Sequence, residues 1–173
     1  MPSNWLSVPH FQQELEYSCV AACVRMVLAY FGDVRTEAEV RSLLDTQPDG
    51  TRVRNVMRLS TPAFEVYLRP STLVELQQAL TDQQPPIVFL KSGPLEYWSM
   101  DTAHAAVLVG LDSTTAVLND PHFAASPQTT SLQSFQTAWS EVTQHAAFIR
   151  PRKKPRAAPV TLTEPTPTTR GTS

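Results

Sequence analysis

The sequence predicts an α+β domain, with helices in its first half and strands in its second half. Before residue 81, apolar side chains recur at three- and four-residue spacing in several segments, which is typical of helices. After the pair Pro85 and Pro86, short runs of valine, leucine and alanine replace this spacing and indicate strands. Because helical segments precede the strands, we expect a helical lobe packed on an antiparallel sheet.

The first predicted helix covers residues 19–31 and is the most strongly marked. Its apolar positions are Val20, Cys23, Val24, Val27, Leu28 and Phe31. Gly32 is a natural stop after it, and Ser18 is expected to be its N-cap, accepting a hydrogen bond from a first-turn amide. Since most positions in this helix are apolar, we expect it to lie in the core.

Further helices are predicted later in the chain. They cover residues 36–44, 53–60, 71–80 and 131–140. The first of these begins after Thr36 and carries Glu39 three residues on, which is the spacing of a capping box.

Five segments have the composition of strands. They are residues 64–68, 87–90, 103–111, 115–119 and 147–150. The polar residues 112–114 join the third and fourth segments as a hairpin turn. Such a hairpin places the beginning of one strand and the end of the next at the same edge of the sheet.

Charge and composition indicate which partners the protein has and how far its folded domain extends. The chain of 173 residues has 14 Lys and Arg against 16 Asp and Glu, so its formal net charge of −2 does not favour nucleic acid as a partner. Residues 1–150 suit one domain. Residues 151–173 hold five of the 15 prolines and few apolar residues, and we expect a disordered tail there. We interpret the basic run at 150–156 as a solvated linker.

The two cysteines, Cys19 and Cys23, are too few for a disulfide framework. Their four-residue separation within a predicted helix suits a bridge poorly, so we expect free thiols and a reducing compartment. The chain shows neither the pattern of a signal peptide nor an apolar stretch of the roughly 20 residues that a membrane helix needs. We therefore expect a cytoplasmic protein without a membrane segment.

Cys19 is placed where a thiol can be activated. It opens the predicted helix, where exposed amides and the positive end of the helix dipole favour a thiolate. The alternative is that Cys19 is a small apolar residue of the core. Cys23 lies one turn further along the apolar face, and there we favour the core interpretation.

His104 and Asp120 occupy the two ends that the predicted hairpin brings together. His104 begins an apolar strand and Asp120 follows the next one, so the carboxylate is placed to orient the imidazole of a general base. The alternatives are a core or edge histidine at 104 and a plain turn at residues 119–121.

An oxyanion-stabilising donor is also expected near the nucleophile. Gln13 lies six residues before Cys19 and can supply a side-chain amide beside the backbone N–H of the cysteine. Gln12 is a rival for the same role, and spacing alone does not separate the two.

Two blocks of sequence together resemble a known family. Residues 13–32 read QELEYSCVAACVRMVLAYFG, and residues 104–121 read HAAVLVGLDSTTAVLNDP. They are similar to the bacteriocin-processing cysteine peptidases, the papain-like domains at the N-terminus of double-glycine peptide exporters, and their stand-alone relatives. The resemblance covers roughly residues 8–150.

This resemblance implies a papain-like fold and hydrolysis of peptide bonds by a thiolate–imidazolium pair. It assigns the nucleophile to Cys19, the base to His104, the orienting carboxylate to Asp120 and the oxyanion donor to Gln13 rather than Gln12. The substrate would be a peptide or protein, with leader-peptide processing as one form of the reaction.

The chain departs from the family at three places. Ser18 stands where the family has an acidic residue, and Val20 stands where it has glycine. We expect Val20 to narrow the space beside the nucleophile or to redirect the substrate. The predicted tail replaces the membrane helices and ATPase of the exporters, so a transport role is not carried over.

Two other functions stay open beside hydrolysis. An acyltransferase or transpeptidase uses the same triad with an amine or thiol in place of water, and a non-catalytic peptide-binding module can share the fold. Intact residues at all four positions favour catalysis. A zinc site built from Cys19, Cys23, His104 and His122 is disfavoured by the ligand spacing, so we expect no metal and no cofactor.

Overall fold

A six-stranded antiparallel sheet organises the fold in the computed structural model, which describes residues 5–152. Its strands are β1 (Phe64–Pro70), β2 (Ile87–Lys91), β3 (Ala103–Leu111), β4 (Thr115–Asn119), β5 (Gln128–Ser131) and β6 (His145–Pro151). They lie in the order β1-β6-β2-β3-β4-β5, and every neighbouring pair is antiparallel. The predicted α+β class with an antiparallel sheet is confirmed.

Helices pack on both faces of this sheet. They are α1 (Cys19–Tyr30), α2 (Glu37–Leu44), α3 (Leu73–Thr81) and α4 (Leu132–Ser140), together with a 3₁₀ helix at Val53–Leu59. Helices α1 and α2 and the 3₁₀ helix share one apolar cluster with the sheet, whereas α3 and α4 share a second cluster on the opposite face. The sheet is therefore covered on both sides rather than by one helical lobe.

Alternating side chains of the central strands separate the two clusters. In β3, Ala105 and Val107 point to the α1 side, whereas Ala106 and Leu108 point to the α3 and α4 side. A strand that is buried on both faces needs a nearly continuous apolar run, and the sequence of β3 has one. The same property makes its bounds recognisable from sequence, and both β3 and β4 occur at the predicted residues.

Strand β5 was not predicted. Its sequence is QTTS, and only Thr130 in it is buried. It pairs with β4 at the edge of the sheet and carries no apolar alternation, so its hydrogen bonds rather than its side chains define it.

The last described residues, 151 and 152, lie just after the predicted domain boundary at residue 150. Strand β6 extends to Pro151, and the backbone N–H of Arg152 donates to the Ala63 carbonyl at 2.8 Å. The rest of the predicted tail lies outside the described residues. Within residues 5–152, no helix is both long and apolar enough to cross a membrane.

Candidate active site

The β3–β4 hairpin and the start of α1 bring together three of the predicted site residues. Cys19 is the first residue of α1, which packs against β3. His104 is the second residue of β3, and Asp120 follows the last residue of β4. Strands β3 and β4 are paired antiparallel. Cys19 and His104 line a cleft of about 580 Å³, and Asp120 lies behind His104.

His104 and Asp120 form a short hydrogen bond inside the protein. The distance between His104 Nε2 and Asp120 Oδ1 is 2.7 Å, and both side chains are buried. Because this bond occupies Nε2, Nδ1 is the ring nitrogen that remains for the Cys19 thiol. This is the arrangement that a base and its orienting carboxylate require.

Asp120 accepts three further hydrogen bonds. The Tyr97 hydroxyl and the Trp98 indole Nε1 donate to Oδ2 at 3.1 and 2.9 Å, and the backbone N–H of His122 donates to Oδ1 at 2.9 Å. Burial alone would raise the pKa of Asp120, but the bonds from His104, Trp98 and His122 outweigh it and lower the pKa. The group is therefore a carboxylate at neutral pH.

The charge on Asp120 acts in turn on His104. Burial alone would lower the pKa of His104, but its hydrogen bond to Asp120, the charge of that carboxylate and the neighbouring Cys19 raise the pKa to about 9. The imidazole is therefore largely protonated at neutral pH.

The two cysteines differ in their surroundings. Both are free thiols, as predicted; Cys19 is half-buried at the cleft, whereas Cys23 is fully buried in the core on the α1 side. Burial raises the pKa of Cys23 well above its usual value, and the nearby Cys19, Asp120 and Glu37 raise it further. Cys23 is thus an unreactive core residue, in agreement with its sequence pattern.

The expected capping role of Ser18 is wrong. Its hydroxyl accepts from the Leu15 N–H at 3.1 Å and donates to the Leu15 carbonyl at 2.9 Å, so it closes the preceding turn rather than capping α1. The short side chain is satisfied by this local alternative, as serine often is. The first-turn amides of α1 consequently have no side-chain acceptor at the end where Cys19 lies.

Gln13 lines the cleft, but its amide group is engaged elsewhere. Its Nε2 donates to the carbonyls of Leu15 and Glu16 at 2.7 and 3.0 Å, and its buried Oε1 has no partner among the described residues. Gln12 is exposed, donates to the His122 carbonyl at 3.1 Å and does not line the cleft. Of the two glutamines, only Gln13 faces the space beside Cys19.

Four loops and the first residue of β3 form the rest of the cleft wall. They contribute Glu16 and Tyr17, residues 48–50, residues 98 and 100–103, and His122. Val20 does not line the cleft, because its side chain is 5% exposed and packs in the core on the α1 side. The expectation that Val20 narrows the space beside the nucleophile is therefore wrong.

Tyr97 and Trp98 were not identified from the sequence. Both lie in the loop between β2 and β3, where spacing relates them to neither Cys19 nor His104. The only signal was the adjacent aromatic pair itself within an otherwise mostly polar segment. Among residues 5–152, no group of three or more His, Cys, Asp or Glu side chains is arranged to hold a metal ion.

Several solved structures have folds similar to this one. A C39-like protein from Bacillus anthracis superposes with a TM-score of 0.69 at 15% identity, covering 88% of this chain and 100% of that one. A double glycine motif protease from an AMS/PCAT transporter, solved in complex with the leader peptide, gives 0.67 at 21% identity over 87% and 96%. The peptidase domain of Streptococcus ComA, a bifunctional ABC transporter involved in a quorum-sensing pathway, gives 0.65 at 22% identity over 83% and 98%.

These similarities confirm the papain-like fold expected from the resemblance. Curated proteins give no significant match to the chain. The model of the peptidase C39 family matches residues 7–153, which is most of the chain. The protein therefore belongs to the peptidase C39 family.

Proposed function

We propose that this protein is a cysteine peptidase in which Cys19 is the nucleophile, His104 the general acid and base, and Asp120 the carboxylate that orients His104. The observation that carries the proposal is the buried 2.7 Å bond between His104 and Asp120, next to a cleft that also contains the Cys19 thiol. Membership of a peptidase family supports the same reaction class.

The proposed reaction begins with the thiolate–imidazolium pair. The Cys19 thiolate attacks the carbonyl carbon of the scissile bond, and His104 then gives its proton to the leaving amine as the peptide bond breaks. A thioester remains on Cys19. Neutral His104 removes a proton from water, the resulting hydroxide attacks the thioester, and the carboxylic acid product leaves while the pair is restored.

The tetrahedral intermediates need donors for their oxyanion. The backbone N–H of Cys19 is one candidate, because it lies at the end of α1 that no side chain caps. The Gln13 amide is the second. Since its N–H groups contact the carbonyls of Leu15 and Glu16, binding of the oxyanion requires the exchange of one of these bonds.

The proposed substrate is a peptide segment, with leader-peptide processing as the favoured reaction. A structurally similar protease is known in complex with a leader peptide, and the cleft beside Cys19 is open to a chain that enters between the loops. We propose that the substrate occupies this cleft with its scissile carbonyl next to Cys19 and its leaving amine next to His104.

Hydrolysis is tested by incubating the protein with a peptide library in heavy-oxygen water and analysing the products by mass spectrometry. We expect cleavage with one heavy oxygen in each new carboxyl group, and no cleavage by Cys19→Ala. Cys23→Ala is the matched control and should retain activity, since Cys23 is buried away from the cleft. Products that join two peptides, without heavy oxygen, would indicate acyl transfer instead.

Gln13→Ala is expected to lower kcat by about 100-fold or more, which is the usual effect of removing an oxyanion donor. Gln12→Ala is the matched control and should have little effect, because Gln12 is exposed and outside the cleft.

The Gln13 side chain also donates to the carbonyls of Leu15 and Glu16, so its removal affects the conformation of the segment before Cys19 as well. The rate of Cys19 alkylation by iodoacetamide separates the two effects, since alkylation forms no oxyanion. Equal losses of alkylation and of peptide cleavage would contradict an oxyanion role.

The alkaline limit of activity should follow the protonation of His104. The raised pKa of about 9 means that activity is lost as the pH rises through that value, because a neutral imidazole can neither stabilise the thiolate nor protonate the leaving amine. Asp120→Asn removes the charge that raises the pKa, so the alkaline limb of kcat/KM should move to lower pH. An alkaline limb that stays at the wild-type pH would show that Asp120 does not act on His104.

A further inference from the structure

The triad carboxylate has a second set of partners on the oxygen that does not face His104. Asp120 Oδ2 accepts from the Tyr97 hydroxyl and from the Trp98 indole at 3.1 and 2.9 Å. Both donors come from the loop of residues 92–102, between β2 and β3. This loop therefore reaches the triad from a part of the chain that supplies none of its members.

Trp98 also contacts the imidazole side of the pair. Its ring centroid is 4.8 Å from that of His104, in an edge-to-face arrangement, and 4.3 Å from that of His122. Trp98 lines the cleft as well. One side chain thus binds the carboxylate through its N–H and covers the neighbouring histidine with its ring.

The loop that carries these donors is anchored at both sides. Leu95 is buried in the apolar cluster that includes α3 and α4, and the next residue in the sequence is Glu96. Glu96 accepts hydrogen bonds from the hydroxyls of Thr130 and Ser134 and from the Ser131 N–H. These bonds outweigh the effect of burial and lower the pKa of Glu96 to about 2, so the anchor is charged at neutral pH.

The base of the loop is closed by Ser92. Its hydroxyl donates to the Met100 carbonyl at 2.7 Å and accepts from the Thr102 N–H at 2.9 Å. The backbone of Trp98 is tied to Leu95 by an N–H to carbonyl bond of 3.0 Å. The indole therefore donates to Asp120 from a loop that is hydrogen-bonded internally and attached through Glu96 to β5 and α4.

A carboxylate held by one partner is free to turn about its last torsion, which has a broad energy profile. In Asp120, His104 and the His122 N–H both bind Oδ1, and the donors on Oδ2 restrict rotation further, because a turn that moves Oδ1 away from His104 would also break the Oδ2 bonds. Catalytic efficiency is sensitive to such orientation.

We infer that Trp98, together with Tyr97, is a positioning residue of the proposed reaction, fixing the plane of Asp120 so that Oδ1 stays directed at His104 Nε2. This inference rests on the proposed function and adds to it residues that touch neither the nucleophile nor the scissile bond in the mechanism. The β2–β3 loop is accordingly part of the catalytic apparatus as well as a wall of the cleft.

Two effects of losing the indole N–H have opposite signs. If the donor only neutralises charge, its loss leaves more negative charge on Asp120 and raises the pKa of His104. If the donor fixes the orientation, its loss weakens the bond between Asp120 and His104 and lowers that pKa. The direction of the shift therefore tests the inference.

The test is Trp98→Phe, which keeps an aromatic ring and removes the donor. The pKa of His104 is followed by NMR titration of its imidazole carbon resonances, and kcat/KM is measured in parallel. We expect the pKa to fall by about one unit, the equivalent of one hydrogen bond, and kcat/KM to fall about tenfold or more. Tyr97→Phe should shift both quantities in the same direction.

Trp139→Phe is the matched control. Trp139 is fully buried and donates its indole N–H to the His145 carbonyl at 2.8 Å, so this change also removes a buried indole bond. It should lower the melting temperature and leave the pKa of His104 unchanged.

A pKa that stays constant or rises in both Trp98→Phe and Tyr97→Phe would overturn the inference. The NMR titration needs no peptide cleavage. If the wild-type protein shows the raised pKa of His104 but cleaves no peptide, the proposed function is contradicted. The effect of Trp98 and Tyr97 on the orientation of Asp120 is still tested in that case by the pKa shift alone.

Discussion

A carboxylate buried beside an imidazole constrains the whole site. Moving a charge out of water is costly unless hydrogen bonds replace the lost hydration, and Asp120 is completely buried. Four donors meet this requirement, from β3, from the β2–β3 loop and from the residues after β4. Donors from these separate segments thus meet on one charge at the end of the sheet, and that charge in turn keeps His104 protonated at neutral pH.

The thiol is supplied by a separate part of the fold. Helix α1 is buried against the sheet, so its first residue is placed at the end of β3 by packing rather than by polar contacts. Its first turn carries no side-chain cap, because Ser18 is turned back to Leu15. Burial separates the roles of the two cysteines that share this helix: Cys23 is held in the core, whereas Cys19 meets the cleft.

Sequence reasoning predicted the elements whose patterns come from burial. Helix α1 and strands β3 and β4 were located closely because apolar runs define them, and this also placed Cys19, His104 and Asp120. Strand β5 was missed because it is a polar edge strand. The contacts of Tyr97 and Trp98 with Asp120, the turn made by Ser18 and the burial of Val20 depend on how distant segments meet, which local patterns do not encode.

The proposed mechanism depends most directly on whether His104 activates Cys19. The decisive measurement is the rate of alkylation by iodoacetamide near neutral pH, with the adduct located by mass spectrometry, in the wild type and in His104→Ala. We expect fast alkylation confined to Cys19 and a marked slowing in the variant, since the thiolate loses its cation. Slow alkylation in both proteins, or equal alkylation of Cys19 and Cys23 regardless of the substitution, would contradict an activated pair.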